Sequence, residues 1–313
     1  MVGLNMLGRR LLQMIPIIIG ITVVSFILIR VVPGDPATLI LGNHYTPEGA
    51  AQINTSLGLD RGILDQYWIF VRNAFSGSFG RSYSLGDSVG HLIAHGLGKT
   101  LFLIVMAGIF TALLSIPVGL YAGLHRGRVF DQTTRVLLLV GYALPGFLLG
   151  VLLILVFGVK IPILPINGYG DGFLDHVRHL ILPSITLAVP FSAVLVRSLR
   201  ASVVEAMKAD YVTTALLKGI LWRRVVARHI LRNAGMSVVV VFGVNLAFLV
   251  GGTVVIENVF SVPGIGSLLV SSVSTRDYPV VQGLTLVFAV FVLLVNLLTD
   301  AVHVAIDPRL AVA

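Results

Sequence analysis

Six stretches of this chain contain no Asp, Glu, Lys or Arg: residues 11–29, 100–125, 136–159, 179–196, 233–256 and 278–299. Each is long enough to cross a membrane, because a spanning helix needs about 20 mostly apolar residues, with about 17 as the lower limit. The 179–196 stretch is the weakest of the six, and it holds Pro183 and Pro190. The expectation is an all-α integral membrane protein with six transmembrane helices. Only 12% of the 313 residues are charged, against about 25% in soluble domains. A seventh charge-free stretch, 258–275, contains Pro263, Gly264, Gly266 and several Ser and Thr residues. It reads as a loop carrying a short interfacial or re-entrant helix.

Six crossings place both termini on one side. With the N-terminus cytoplasmic, 14 of the 22 Lys and Arg fall inside. Most of the outer ones border or lie in the long 33–99 segment, where charge has little influence on orientation. The net charge of +8 is therefore a topology signal rather than a nucleic-acid footprint. The first apolar stretch begins too late and runs too long for a removed signal peptide, and it lacks a small-residue cleavage site. Cysteine is absent, which excludes disulfides, thiolate metal sites and cysteine nucleophiles.

Three segments follow: 1–95, a first transmembrane helix with an extracytoplasmic segment; 96–306, the transmembrane core; and 307–313, a cytoplasmic tail. Pro33-Gly34-Asp35-Pro36 ends the first helix, since proline disfavours helical geometry in the residue before it. Residues 47–75 carry loose helical periodicity, and Ser76–Gly80 reads as a turn. Within the core, the 197–232 loop holds eight of the 22 Lys and Arg. Ser202 followed by Glu205 fits a capping box. Gly219 sits where a helix end requires positive φ, with Lys218 before it. Val204, Met207, Tyr211 and Ala215 fall on one helical stripe. The pattern predicts an amphipathic helix over 203–217, outside the membrane. Such a helix can rest on lipid headgroups or dock a partner, and Glu205 and Asp210 disfavour an anionic surface.

Other motifs weigh less. Gly96-Leu97-Gly98-Lys99-Thr100 resembles the end of a phosphate loop, but Ile93 stands where the first glycine belongs. His91 with His95, and His176 with His179, have helix-face spacing without a third strong ligand nearby, so no metal site is expected. No nucleophile–base–orienter set or carboxylate pair appears. No Asp, Glu, Lys or Arg lies at mid-depth in a span, which disfavours a self-powered proton pump. Ser25, Tyr142, Ser192, Asn245 and Asn296 are candidates to line a path or to form interhelical hydrogen bonds.

One stretch carries a family resemblance. Glu205-Ala206, Asp210-Tyr211-Val212, Thr214-Ala215, Lys218-Gly219, Arg224-Val225 and His229–Ala234 resemble the EAA loop of binding-protein-dependent ABC importer permeases. Further matches follow the order of the peptide/nickel subfamily of the dipeptide and oligopeptide "B" type. They are Arg9-Arg10, Pro33–Pro36, Leu182-Pro183-Ser184, Gly251-Gly252 with Glu257 and Phe260, Pro263-Gly264 with Gly266, Arg276–Pro279 with Gln282, and Asp307-Pro308. Leu216 and the Ile220-Leu221 pair depart from the family pattern.

The resemblance implies a type I ABC importer permease fold in a bacterial plasma (inner) membrane. It implies a second homologous permease subunit, two cytoplasmic ATPase subunits and an extracytoplasmic substrate-binding protein. ATP and Mg would be bound by the ATPases, leaving this chain non-catalytic and without a cofactor. Glu205, Ala206, Asp210, Tyr211 and Gly219 carry over as the ATPase-coupling residues. The implied cargo is di- or oligopeptide, with nickel-chelate, glutathione or another small solute as the alternative. A channel or secondary transporter is the reading of a different class.

Overall fold

The computed structural model describes residues 2–31, 46–56 and 60–306; the Pro33–Pro36 turn and the 307–313 tail lie outside them. It forms two compact units. The first comprises Lys99–Ser267 with the end segments Met1–Gly8 and Leu294–Ala313, and the second comprises Arg9–Gly98 with Leu268–Leu293.

The described residues are helical, with one isolated β-bridge between Arg81 and Ser88. In chain order the helices are α1 (Val2–Val31), α2 (Pro47–Ser56), α3 (Ile63–Phe75), α4 (Val89–Leu124), α5 (Val129–Ala143), α6 (Gly146–Ile154) and α7 (Phe173–Ala206). Then come α8 (Asp210–Leu217), α9 (Trp222–Val225), α10 (Leu231–Val259), α11 (Ile265–Ser274) and α12 (Tyr278–Ile306). Four helical stretches are long and apolar enough to cross a membrane: Val89–Leu124, Phe173–Ala206, Val238–Val259 and Tyr278–Val302. The 11–29 stretch lies in α1, whose apolar run among the described residues is Leu12–Ile27.

The 136–159 stretch is not one straight crossing. It falls on α5 and α6, which meet at a bend of 102°. Pro145 explains the break: Leu144 before it takes an extended ψ of 126°, as a residue preceding proline tends to. The far end widens into a π turn over Leu155–Lys160.

The 179–196 stretch, shortest of the six, belongs to the most enclosed helix. α7 runs 34 residues, about 51 Å at 1.5 Å per residue. Its most apolar window is 61% buried, the highest share among the four spans. Pro183 and Pro190 lie inside it. Each lacks the N–H that would bond the carbonyl four residues back, those of His179 and Thr186. Leu180, Leu182 and Leu187 of α7 pack with Leu103 and Ala107 of α4 and Leu249, Ile256 and Phe260 at the end of α10. The 258–275 stretch contains α11, a short helix after a turn in which Ser261 takes φ +50°.

In the second unit α3 packs on α1. The Phe26 ring meets Tyr67 edge-on at 5.2 Å and Phe70 at 5.9 Å. Thr22 Oγ1 and the Tyr67 hydroxyl are 2.8 Å apart.

Candidate coupling site

Leu195, Val196, Leu199, Val203 and Ala206 are buried along one face of α7. That stripe carries the helix past the position where a new helix was expected to start. Ser202 and Glu205 are therefore interior residues of α7, and the capping-box reading is corrected. The chain turns at Met207–Ala209, where Lys208 N–H bonds Glu205 O and Ala209 N–H bonds Ala206 O. This three-residue spacing tightens the last turn. The separate helix is α8, eight residues long, with Ala209 at its N-cap. The expected 203–217 helix is thus the end of α7, a turn, and α8.

The buried face also differs from the expected stripe. Val203, Ala206, Val212 and Ala215 form it, packed with Val225, Ile230 and Ala234. Tyr211 is 40% exposed, and Val204 and Met207 are half-buried. A turn inserted between two helices resets the helical phase, so one 3.6-residue count cannot run across it.

Gly219 ends α8 as expected, with φ +72°. Its N–H bonds the Leu216 carbonyl and Ile220 N–H bonds the Ala215 carbonyl. These two bonds are those of a Schellman motif. Ile220 packs against the same cluster as Val212 and Ala215. Asn233 Nδ2 donates to the Tyr211 hydroxyl at 2.8 Å, tying α8 to the start of α10. α8 is thereby joined to both α7 and α10. Glu205, Asp210, Tyr211 and Gly219 lie at the surface, whereas Ala206 is buried. Beside them Leu216, Leu217, Leu221 and Trp222 are exposed.

The link extends to α4 and α5. Gly119 and Gly123 let α4 approach α7 closely: a Cβ at 119 would stand 3.0 Å from Leu199 Cδ2, and one at 123 would stand 2.7 Å from Val203 Cβ. Asp131 of α5 is fully buried. Its two oxygens accept from Arg200 Nε at 2.5 Å and Nη2 at 2.7 Å. Gly127 N–H adds a third bond at 2.9 Å. Bidentate geometry of this kind is the strong form of ion pairing. A cleft of about 640 Å³ lies here, lined by Arg126, Asp131, Arg135, Arg200, Glu205 and Lys208 among others.

Two further acids are buried, one in each compact unit. Glu257, fully buried, accepts from Thr100 Oγ1 at 2.6 Å and from Ser267 N–H at 2.9 Å. Thr100 Oγ1 in turn accepts from Ile265 N–H at 2.9 Å. Glu257 thus satisfies the first turn of α11. A Cβ on Gly264 would stand 2.5 Å from its carboxyl group, so only glycine admits that approach. Asp277, also fully buried, accepts from the hydroxyls of Ser82 and Ser84 and from the N–H groups of Tyr83 and Ser84. Burial pushes its carboxyl up, but these bonds outweigh that and hold it below the ordinary value. The neighbouring Tyr83 hydroxyl is pushed up to about 12 by burial and by the Asp277 charge.

The candidate path residues separate. Ser25, Ser192 and Asn245 are buried, while Tyr142 and Asn296 are exposed. The Ser25 and Ser192 hydroxyls and Asn245 Nδ2 make no hydrogen bond with the described residues. His91 pairs with Asp87 at 2.6 Å. His176 stacks on Tyr169 at 4.1 Å, and His179 Nδ1 lies 2.9 Å from the Asp175 carbonyl. Among the described residues no three His, Cys, Asp or Glu are grouped to hold a metal.

The family described as "Binding-protein-dependent transport system inner membrane component" matches residues 115–312, and its N-terminal companion matches residues 3–104. The chain belongs to this permease family. It is the membrane subunit of an ABC importer, a multi-pass protein of the bacterial inner membrane. The permease is 39% identical over 307 residues to the glutathione transport system permease protein GsiC of Escherichia coli strain K12, covering 98% of this chain and 99% of that one. The same-named protein of Shigella flexneri serotype 5b is 38% identical over the same length. An inward-facing structure of the MetNI methionine ABC transporter superimposes with TM-score 0.55 at 18% identity, over 69% of this chain and 96% of that chain. The fold is thus that of a type I importer permease.

Proposed function

We propose that this permease forms half of a translocation path for small peptide-like solutes of the glutathione class, driven by ATPases that dock on α8. The end-to-end identity with the glutathione permease carries the substrate reading. That reading narrows the di- and oligopeptide expectation, since glutathione is itself a short peptide. The path has six crossings with both termini cytoplasmic. A second homologous permease completes it, an extracytoplasmic binding protein delivers the solute, and ATP and Mg are held by the partner ATPases.

The clamp around α8 supports the coupling step. Exposed Tyr211, Leu216, Leu217 and Trp222 supply an apolar docking face, with Glu205 and Asp210 beside it. Closure of the ATPases displaces α8, and the Schellman turn, the Val203–Ala206 packing and the Asn233 bond pass that displacement to α7 and α10. Solute and ATP drive the cycle only if each favours a different state of the path.

The substrate test is uptake of labelled glutathione and of a labelled dipeptide in cells expressing the permease with its neighbouring transport genes. Glutathione uptake without dipeptide uptake is the expected result, and the reverse would refute the substrate reading. For coupling, the double variant Asp210→Lys/Gly219→Val is expected to reach the membrane at normal abundance and to abolish uptake. Normal uptake by that variant would sink the role given to α8.

A further inference from the structure

We propose that α3 is an interfacial anchor whose outer ridge lies in the phospholipid headgroup and upper acyl layer beside α1. Leu64, Trp68 and Phe75 are 83%, 69% and 79% exposed. Their spacing of four and then seven residues puts them on one ridge of the helix. Tyr67 and Phe70 fall on a neighbouring face, and that face packs on Phe26 of α1. Gln66 and Asn73 fall opposite the ridge. The helix therefore has three sides, one on protein, one apolar and open, and one polar.

The packing partner decides what covers the open ridge. Thr22 and Phe26 lie within Leu12–Ile27, the apolar run of α1. Thr22 bonds the Tyr67 hydroxyl, so α3 is fastened alongside that run and not above it. On α1, Ile19, Val24 and Ile27 are also exposed, so the helix to which α3 is fastened itself presents apolar side chains outward. Arg72 and Asp65 flank the ridge at its polar border. Tryptophan with an arginine nearby is the composition favoured at the membrane–water interface. A water-exposed ridge of this size would carry the cost of about 25 cal/mol for every Å² of apolar surface left wet.

The inference is independent of what the permease carries. The chain has two tryptophans, so Trp222→Phe leaves Trp68 as the sole fluorophore. The full-length variant is reconstituted into bilayers of phosphatidylcholine or of the same lipid brominated near the headgroup end of its chains. The expected result is loss of most Trp68 emission in brominated bilayers and weak quenching by aqueous acrylamide. Trp68→Phe, which leaves Trp222 outside the spans, should be much less sensitive to bromine. Trp68 emission indifferent to bromine and freely quenched by acrylamide would overturn the proposal and mark the ridge as a docking face for a soluble protein. Bromine quenching that disappears when the partner permease is added would overturn it in favour of a subunit contact.

Discussion

An alanine at Gly123 should loosen the weld between α4 and α7. Its Cβ would lie 2.7 Å from both Cβ and Cγ1 of Val203 and 3.3 Å from the Arg200 carbonyl. Carbon atoms prefer a separation of about 3.5–4.0 Å, so the helices must part by about 1 Å. Overpacking of this kind costs about 1–3 kcal/mol. Alanine in a helix interior returns up to about 1 kcal/mol relative to glycine. The net loss should be about 1–2 kcal/mol. Gly235 of α10, with nothing within 4 Å of an added Cβ, is the control, and Gly235→Ala should be neutral or slightly stabilising. Val203→Ala removes two carbons from a side chain that is fully buried, about 1.6 kcal/mol at about 0.8 kcal/mol per CH₂. In Gly123→Ala/Val203→Ala the Cγ1 contact is gone while the Cβ contact at 2.7 Å remains, so the double loss should fall short of the summed single losses by only part of the clash cost, about 0.5–1 kcal/mol. Unfolding in mixed detergent–SDS micelles, followed by tryptophan fluorescence, reads all four variants. Additivity, or Gly123→Ala behaving like Gly235→Ala, would refute the close-packing argument.

Two further outcomes concern the buried acids. Asp277 is held below its ordinary value of 3.8, so its stabilising contribution is complete above that value and is lost as pH falls through the lower folded one. Thermal midpoints measured from pH 7 down to pH 2 should fall in the acid range for the wild type. They should be lower at neutral pH and less acid-sensitive in Asp277→Asn, and identical profiles would contradict this. Glu257→Ala leaves the Thr100 hydroxyl and the Ser267 N–H without their acceptor, a loss of about 1–3 kcal/mol for each unsatisfied group. Limited proteolysis should then cut near 260–268 faster than in the wild type, and an unchanged cleavage pattern would count against the clamp.

The charge-free stretches were legible because hydrocarbon tolerates no unpaired charge; five of the six fall on single helices and 136–159 falls on the bent pair α5 and α6. What they could not show is where helices continue past a charge. Arg200 appears to a one-dimensional reading as the start of a cytoplasmic loop. In the fold Asp131, 69 residues away, neutralises it, and α7 runs on to Ala206. The buried stripe Leu195–Leu199–Val203–Ala206 was the available signal, and the Ser202–Glu205 pattern obscured it. Gly219 was legible because its constraint is local, a positive φ at a helix end. Glu257 and Gly264 were visible as parts of a family pattern, but their roles depend on Thr100, 157 residues distant. Asp277 was equally opaque, since Ser82 and Ser84 reach it only through the fold.

The central claim is that α8 is the surface on which the ATPases act. The chain contains no cysteine, so Leu217→Cys places a single thiol on α8 at a side chain that is 83% exposed. Leu85→Cys, in the loop before α4, gives an exposed control. With a short bifunctional thiol–amine reagent and the intact transporter, Leu217→Cys should cross-link to the ATPase chain in a yield that changes on adding ATP, and Leu85→Cys should not. An assembled, transporting complex that gives no ATPase adduct from position 217, with or without ATP, would contradict the account.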